Sequence, residues 1–218
     1  MSTVKANTVT ASTTNGNVSI LGNGTGKVTL GDGNLIFPDA DGTAGQFLQT
    51  NGAGTLSFGD ASAAIAQVVS SQKTDTFTTT STSYVDVPSL SVSITPSSAS
   101  NKVFVLATIA LGADYYHAYA RLMRDSTAIA IGDAAGNRDA TSLGWNSTLV
   151  NANDDYNIMT QPIIVLDSPA TTSATTYKIQ CRAYDASYGI SVNRTWLDSD
   201  TVNYVRVPSS ITVMEVVV

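Results

Sequence analysis

Cysteine and histidine each occur once in this chain, and their scarcity removes whole classes of chemistry. With Cys181 alone, no intrachain disulfide can form. That cysteine lies in the alternating stretch Tyr177-Lys-Ile-Gln-Cys-Arg-Ala183, which predicts a buried structural thiol. With His117 alone, a Ser-His-Asp constellation has one candidate base, and neither Gly-x-Ser-x-Gly nor His-Glu-x-x-His occurs. Charge is scarce too: Asp, Glu, Lys and Arg make up 13% of 218 residues, about half the usual share. The net charge is −6, and no Lys/Arg cluster could track phosphates, so nucleic acid is not an expected partner. The longest apolar stretch, Val103 to Leu111, is far short of the roughly 20 residues that span a bilayer. The first residues, MSTVKANTVT, lack the apolar segment of a secretory leader. The expectation is a chain made and folded in a cytoplasm, with no membrane insertion.

What is abundant is Thr, Ser, Asn, Ala, Gly and Val. Low charge with many β-branched and small residues points to an all-β, tightly assembled protein rather than a disordered one. From Gly16 a loose repeat runs through Gly16-Asn-Val-Ser-Ile20, Gly26-Lys-Val-Thr-Leu30, Gly33-Asn-Leu-Ile-Phe37 and Gly54-Thr-Leu-Ser-Phe58. Each unit places its apolar pair two residues apart, on one face of a strand. Two such side chains contribute on the order of 3–6 kcal/mol if fully buried, and ordering the unit costs about as much. One chain alone should not hold these units. Three chains wound about one axis could, as an intertwined, β-prism-like shaft. Two resemblances fail on spacing. Gly22-x-Gly24-x-Gly26-Lys27 has Leu21 and Val28 where a phosphate loop needs Gly and Ser/Thr. Asp32, Asn34, Asp39 and Asp41 do not match a calcium loop and read as turn residues.

Residues 60–72, DASAAIAQVVSSQ, place Ala61, Ala64/Ile65 and Val68 at three- and four-residue steps behind a capping Asp60 or Ser62. This predicts a short helical neck over 61–72. Beyond it the pattern turns to strands at Phe77–Thr79, Tyr84–Val87, Leu90–Ile94, Lys102–Leu111, Ala118–Arg124, Ala128–Ile131, Ser142–Leu149, Gln161–Leu166, Thr175–Ala183, Ile190–Asn193 and Ile211–Val218. Turn residues recur between them, which is the signature of a β-sandwich. Lys102 to Leu111 is apolar on both faces and should be central.

The segment DGTAGQFLQTNGAGTLSF (41–58), with its Asp41-Gly42 and Asn51-Gly52 turns, carries a family resemblance. So do Arg121-Leu-Met-Arg-Asp-Ser-Thr-Ala-Ile129, the stretch from Leu166 to Lys178, and Ser210-Ile-Thr-Val-Met-Glu-Val216. Over about residues 37–218 the chain resembles tail-fibre and receptor-binding proteins of tailed bacteriophages, marine ones especially. The resemblance implies a jelly-roll head like the trimer domains of the tumour-necrosis-factor type, and a homotrimer. It also implies location in the virion tail, attachment to other tail or baseplate proteins through the N-terminal region, and contact with a host surface glycan or outer-membrane receptor. The expected division is 1–60 attachment end and shaft, 61–72 neck, and 73–218 head.

Aromatic residues are where binding chemistry could sit. Tyr115, Tyr116, His117 and Tyr119 cluster after the central strand, and others fall in or beside predicted loops. A ring face packs on the C–H surface of a sugar while carboxylates and amides take its hydroxyls. On that ground Trp145, Asp154, Asp155, Tyr156, Tyr188, Trp196, Asp198 and Asp200 are the candidate glycan-contact residues. The competing reading is core or intersubunit packing. The paired acids could model a glycosidase, but no cleft is indicated. No catalytic residue, cofactor or metal is expected, and the chain is read as a binding protein. The alternatives are a purely structural head-fibre, decoration or baseplate protein, and a glycan-degrading tailspike.

Overall fold

The computed structural model describes residues 29–30, 35–38, 40–60, 64–114, 117–146 and 157–218. Its regular elements are all strands. The chain divides into two units, Met1–Ser62 and Ala63–Val218.

In the first unit, the Gly-led repeats become very short strands. Strands β1 (Thr29–Leu30) and β2 (Leu35–Ile36) pair antiparallel. So do β3 (Phe47–Thr50) and β4 (Leu56–Gly59). The connection between β3 and β4 shows why its sequence is Asn-Gly-Ala-Gly. Gly52 and Gly54 sit at φ +77° and +84°, where a Cβ is disfavoured. The Asn51 carboxamide oxygen accepts from the Ala53 and Thr55 N–H groups at 2.8 and 3.1 Å. Phe47 and Leu48 remain 48% and 42% exposed, so these hairpins leave large apolar side chains open. The first repeat, Gly16–Ile20, lies outside the described residues.

The second unit departs from expectation at its start. Residues 61–63 lie outside the described set, but β5 (Ile65–Lys73) is a strand where a helical neck was expected. Its partner is β15 (Ser209–Val216), with Val69 opposite Val213 and Val68 opposite Met214. A three-turn helix of this composition is marginal alone. As a strand, the same residues gain a backbone ladder, and Val69 packs on the core. The β-branched Ile65, Val68 and Val69 fit that pleated surface.

The remaining strands follow the expected segments closely. They are β6 (Phe77–Thr79), β7 (Val85–Ile94), β8 (Lys102–Ala113), β9 (His117–Arg124), β10 (Thr127–Ile129), β11 (Leu143–Asn146), β12 (Ile158–Asp167), β13 (Thr175–Ala183) and β14 (Ile190–Val192). One sheet runs β10-β9-β13-β7, with β11 also on β9. The other runs β5-β15-β8-β14-β6, with β12 on the far edge of β8. Two segments expected on either side of Pro88 form a single strand, β7. It lies at a sheet edge, where the missing proline N–H is tolerated. Ser89 takes φ +62° beside a register shift against β13.

One hydrophobic cluster draws on both sheets, giving a sandwich consistent with a jelly-roll-like fold. Val103, Val105, Ala107 and Ile109 of β8 face Leu90 and Ile94 of β7, Ala118, Ala120 and Leu122 of β9, and Tyr177, Ile179 and Cys181 of β13 as members of that core. Each fully buried Val, Leu or Ile contributes about 1.5–3 kcal/mol. Burial pushes the Cys181 thiol up to about 12, so it is inert at neutral pH.

Two carboxylates stitch the edges. Asp167 of β12 accepts from the Tyr177 hydroxyl at 2.7 Å and from Arg124 Nη1 at 2.9 Å, joining the two sheets. Glu215 of β15 is fully buried and accepts from Ser97 N, Ser97 Oγ, Asn101 Nδ2 and Gln67 Nε2. Burial alone would raise its pKa. The hydrogen bonds from Asn101, Gln67 and Ser97 outweigh that and hold it at about 2.

Candidate functional site

Tertiary structure divides the residues picked from sequence. Trp145 on β11 takes the inward position opposite Ala118 and is 7% exposed, a member of the core. Its expected role in ligand contact is corrected to packing, because strand alternation turns Gly144 outward and the indole inward. Asp154, Asp155 and Tyr156 lie outside the described residues.

Tyr188, Trp196, Asp198 and Asp200 all belong to the segments around β14. Tyr188 is half-buried in the turn before it, and its N–H donates to Asp185 O at 3.1 Å. The Trp196 ring lies on Gly189, where an added Cβ would meet a ring carbon at 2.1 Å. Gly189 is therefore what lets that ring pack, with the Arg194 guanidinium 5.8 Å from its centre. Asp198 pairs with Arg206 at 2.7 Å and stands 3.8 Å from Arg194 Nε. Asp198, Ser199, Asp200, Thr201, Tyr204 and Arg206 line an open polar hollow of about 300 Å³. Trp196 is not among its lining residues. The hollow thus joins the acids to the Tyr204 ring alone and not to Tyr188 or Trp196, and Asp198 is committed to arginine.

A larger cluster of rings and cations lies on the outer face of the β9-β13-β7 sheet. Alternation along His117-Ala-Tyr-Ala-Arg121 sends the alanines into the core and the larger side chains outward. On β13 the outward set includes Lys178, Gln180 and Arg182. The antiparallel register puts Arg182 opposite Tyr119 and Gln180 opposite Arg121. A stack results. The Arg121 guanidinium lies 4.0 Å from the centre of the Tyr84 ring, and that of Arg182 lies 4.4 Å from Tyr119 and 5.5 Å from Tyr84. Asp139 pins the group, accepting from Arg182 Nη2 at 2.6 Å and from the Tyr84 hydroxyl at 3.0 Å. His117 continues the row, with its ring edge-on to Tyr184 at 5.2 Å. Burial holds the Tyr84 and Tyr119 hydroxyl pKa values above the usual range, so both stay neutral donors. The clustering of His117 and Tyr119 was visible in the sequence. The partnership with Tyr84, Arg121 and Arg182 was not, although the period-two alternation of β9 and β13 could have suggested it. Tyr115 and Tyr116 lie outside the described residues.

The outer face of the other sheet has the opposite character. In lateral register across four strands run Leu166, Phe104, Met214 and Val68, and beside them Ile164, Leu106, Thr212 and Ser70. Ile164, Val68 and Leu166 are 58%, 56% and 49% exposed. Among the outward positions of these four strands, Lys102 at the start of β8 is the single charged residue.

No family profile matches the chain, and no curated protein matches it in sequence. Among solved structures, it is similar to one titled "Structure of infectious bursal disease virus Gx strain", at 12% identity and a TM-score of 0.35. The match covers 75% of this chain and 39% of the other, and at that TM-score it carries no argument about function.

Proposed function

We propose that this chain is a virion structural protein: the homotrimeric tail fibre or receptor-binding protein of a tailed bacteriophage, attaching to host surface glycans. The observation that carries the reading is the contrast between the two outer sheet faces. One is apolar and almost uncharged, as suits contact with identical copies. The other carries tyrosine, histidine and arginine, as suits a polar ligand with apolar C–H faces. Three copies in one fibre would turn weak sugar contacts into avidity. The short hairpins of 29–60, with Phe47 and Leu48 exposed, are then the part of an intertwined shaft that each chain contributes, and attachment to the particle lies on the N-terminal side.

The test has two readouts. Light scattering on the purified full chain should give three times the chain mass. Antibody to the chain should label the tail of the virion, and purified protein should block adsorption to the host. A monomer, or labelling of the head, overturns the reading.

A second reading is a purely structural head-fibre, decoration or baseplate protein. It draws on the burial of Trp145 on β11 and the engagement of Asp198 with Arg206, which withdraw two of the candidate contact residues from a receptor. Unimpaired adsorption in the presence of excess protein would favour it.

A further inference from the structure

Arg121 stands apart from the other cations of its face. Arg182 is paired with Asp139 and Lys178 with Asp86. Among the described residues, Arg121 has no carboxylate partner. It is nonetheless held in place. Its Nε–H donates to Gln180 Oε1 at 2.9 Å, and Gln180 Nε2 donates in turn to Asp86 Oδ1 at 2.7 Å. Its guanidinium carbon lies over the Tyr84 ring, 4.0 Å from the centre. The acid nearest in this network is therefore occupied by Lys178 and Gln180, and the orientation of Arg121 is fixed through its Nε and its place over the Tyr84 ring. Among the described residues neither Nη nitrogen has a hydrogen-bond partner, which leaves them as the open edge of a planar fork. A fork of this kind matches a carboxylate with two parallel hydrogen bonds, and fixing it beforehand lowers the entropy lost on binding.

We propose that Arg121 is the anion-recognising centre of a saccharide site on the outer face of the β9-β13-β7 sheet, and that its ligand is an acidic glycan bearing hexuronate carboxylates. The carboxylate docks on the Nη edge of Arg121. The neighbouring Tyr119 hydroxyl can donate to a sugar oxygen, and the Tyr84 oxygen, whose proton goes to Asp139, can accept from a sugar hydroxyl. The choice of saccharide over other anions rests on the receptor-binding reading above. One fixed guanidinium matches a single planar carboxylate, as each hexuronate unit presents it, rather than the contiguous charge of a polyphosphate.

The experiment is calorimetric titration of the full chain with hexagalacturonate and, in parallel, with neutral maltohexaose. Hexagalacturonate should bind at least tenfold more tightly. Arg121→Ala should weaken it at least tenfold. Arg121→Lys, which keeps the charge but loses the fork, should weaken it several-fold. Trp196→Ala should leave it unchanged. Far-UV circular dichroism and light scattering check that each variant keeps fold and assembly; should Arg121→Ala fail there, the Lys variant carries the comparison. Equal affinity for the two sugars, or native affinity in both Arg121 variants, overturns the proposal. Adsorption blocking separates it from the receptor reading. Loss of sugar binding in Arg121→Ala, with no blocking by native protein, would uphold the site and sink the receptor role. Equal blocking by native protein and Arg121→Ala would do the reverse.

Discussion

The two outer faces of the sandwich share backbone geometry and differ in chemistry. On β8 and β15 the outward positions include Lys102, Phe104, Leu106, Thr212 and Met214. On β9 and β13 they are His117, Tyr119, Arg121, Gln180 and Arg182. Both strand pairs supply the common apolar core from their inward sides. The fold itself therefore does not require the difference, since a solvated sheet face tolerates charge and gains solubility from it. A face kept almost free of charge while leaving Ile164 and Val68 more than half exposed suits the contact between copies proposed above. A face with a pinned arginine–tyrosine stack suits the proposed polar ligand.

The largest effect should come from placing charge on the uncharged face. On the proposed trimer, Leu106→Arg would bury an unpaired cation between copies, a penalty of roughly 3–5 kcal/mol, and should leave a monomer in light scattering. Arg121→Ala, on the opposite face, should leave the assembly intact. If both variants remain trimeric, the contrast between the faces has been misread.

Next in size is Glu215→Gln. It replaces one acceptor oxygen with a donor against Ser97, Asn101 and Gln67. It should destabilise the chain by about 1–3 kcal/mol, measured as a lowered denaturation midpoint without loss of the Arg121 stack's ligand binding. The pH profile of the native protein sharpens the same point. The folded pKa of Glu215 is about 2, below its ordinary 4.5. Its contribution is therefore complete above about pH 4.5 and fades as pH falls towards 2. The Gln variant should lack that component of acid sensitivity, and an unchanged slope between the two proteins would remove Glu215 as its source.

The smallest effect belongs to Tyr84→Phe. It deletes one hydrogen bond to Asp139, which still holds Arg182, so thermal unfolding should shift by an amount equivalent to about 0.5–1 kcal/mol. A loss of several kcal/mol would show that the stack is part of the stabilising framework rather than an open surface.

Strand positions were largely legible in the sequence because alternation and turn residues act locally. Phe77–Thr79 and Thr175–Ala183 fall where they were expected, and the Gly-led repeats coincide with β1, β2 and β4. The stretch over 61–72 misled because Ala and Val at three- and four-residue steps fit a helix as well as a strand. Its partner, β15, lies about 140 residues away in sequence, beyond the reach of any local pattern. The candidate site was harder still. Trp145 and Trp196 are the same residue type in similar-looking polar stretches, yet one enters the core and the other lies on Gly189. Only alternation around the strand's true register separates them.

By itself, the sequence determined the all-β class, the central place of β8, the inert Cys181 and the turn chemistry of Asn51 to Gly54. Each follows from composition, period or the φ preference of a residue, which are properties of short segments. Tertiary structure decided that residues 65–73 pair as a strand and that Glu215 is a buried anion with four donors. It also gathered Tyr84, Tyr119, Arg121 and Arg182 from three separated stretches into one stack while leaving Lys102 as the one charge among the outward positions of β12, β8, β15 and β5. Those outcomes depend on cross-strand register, which joins residues far apart in the chain and is fixed only when the two sheets close on a common core.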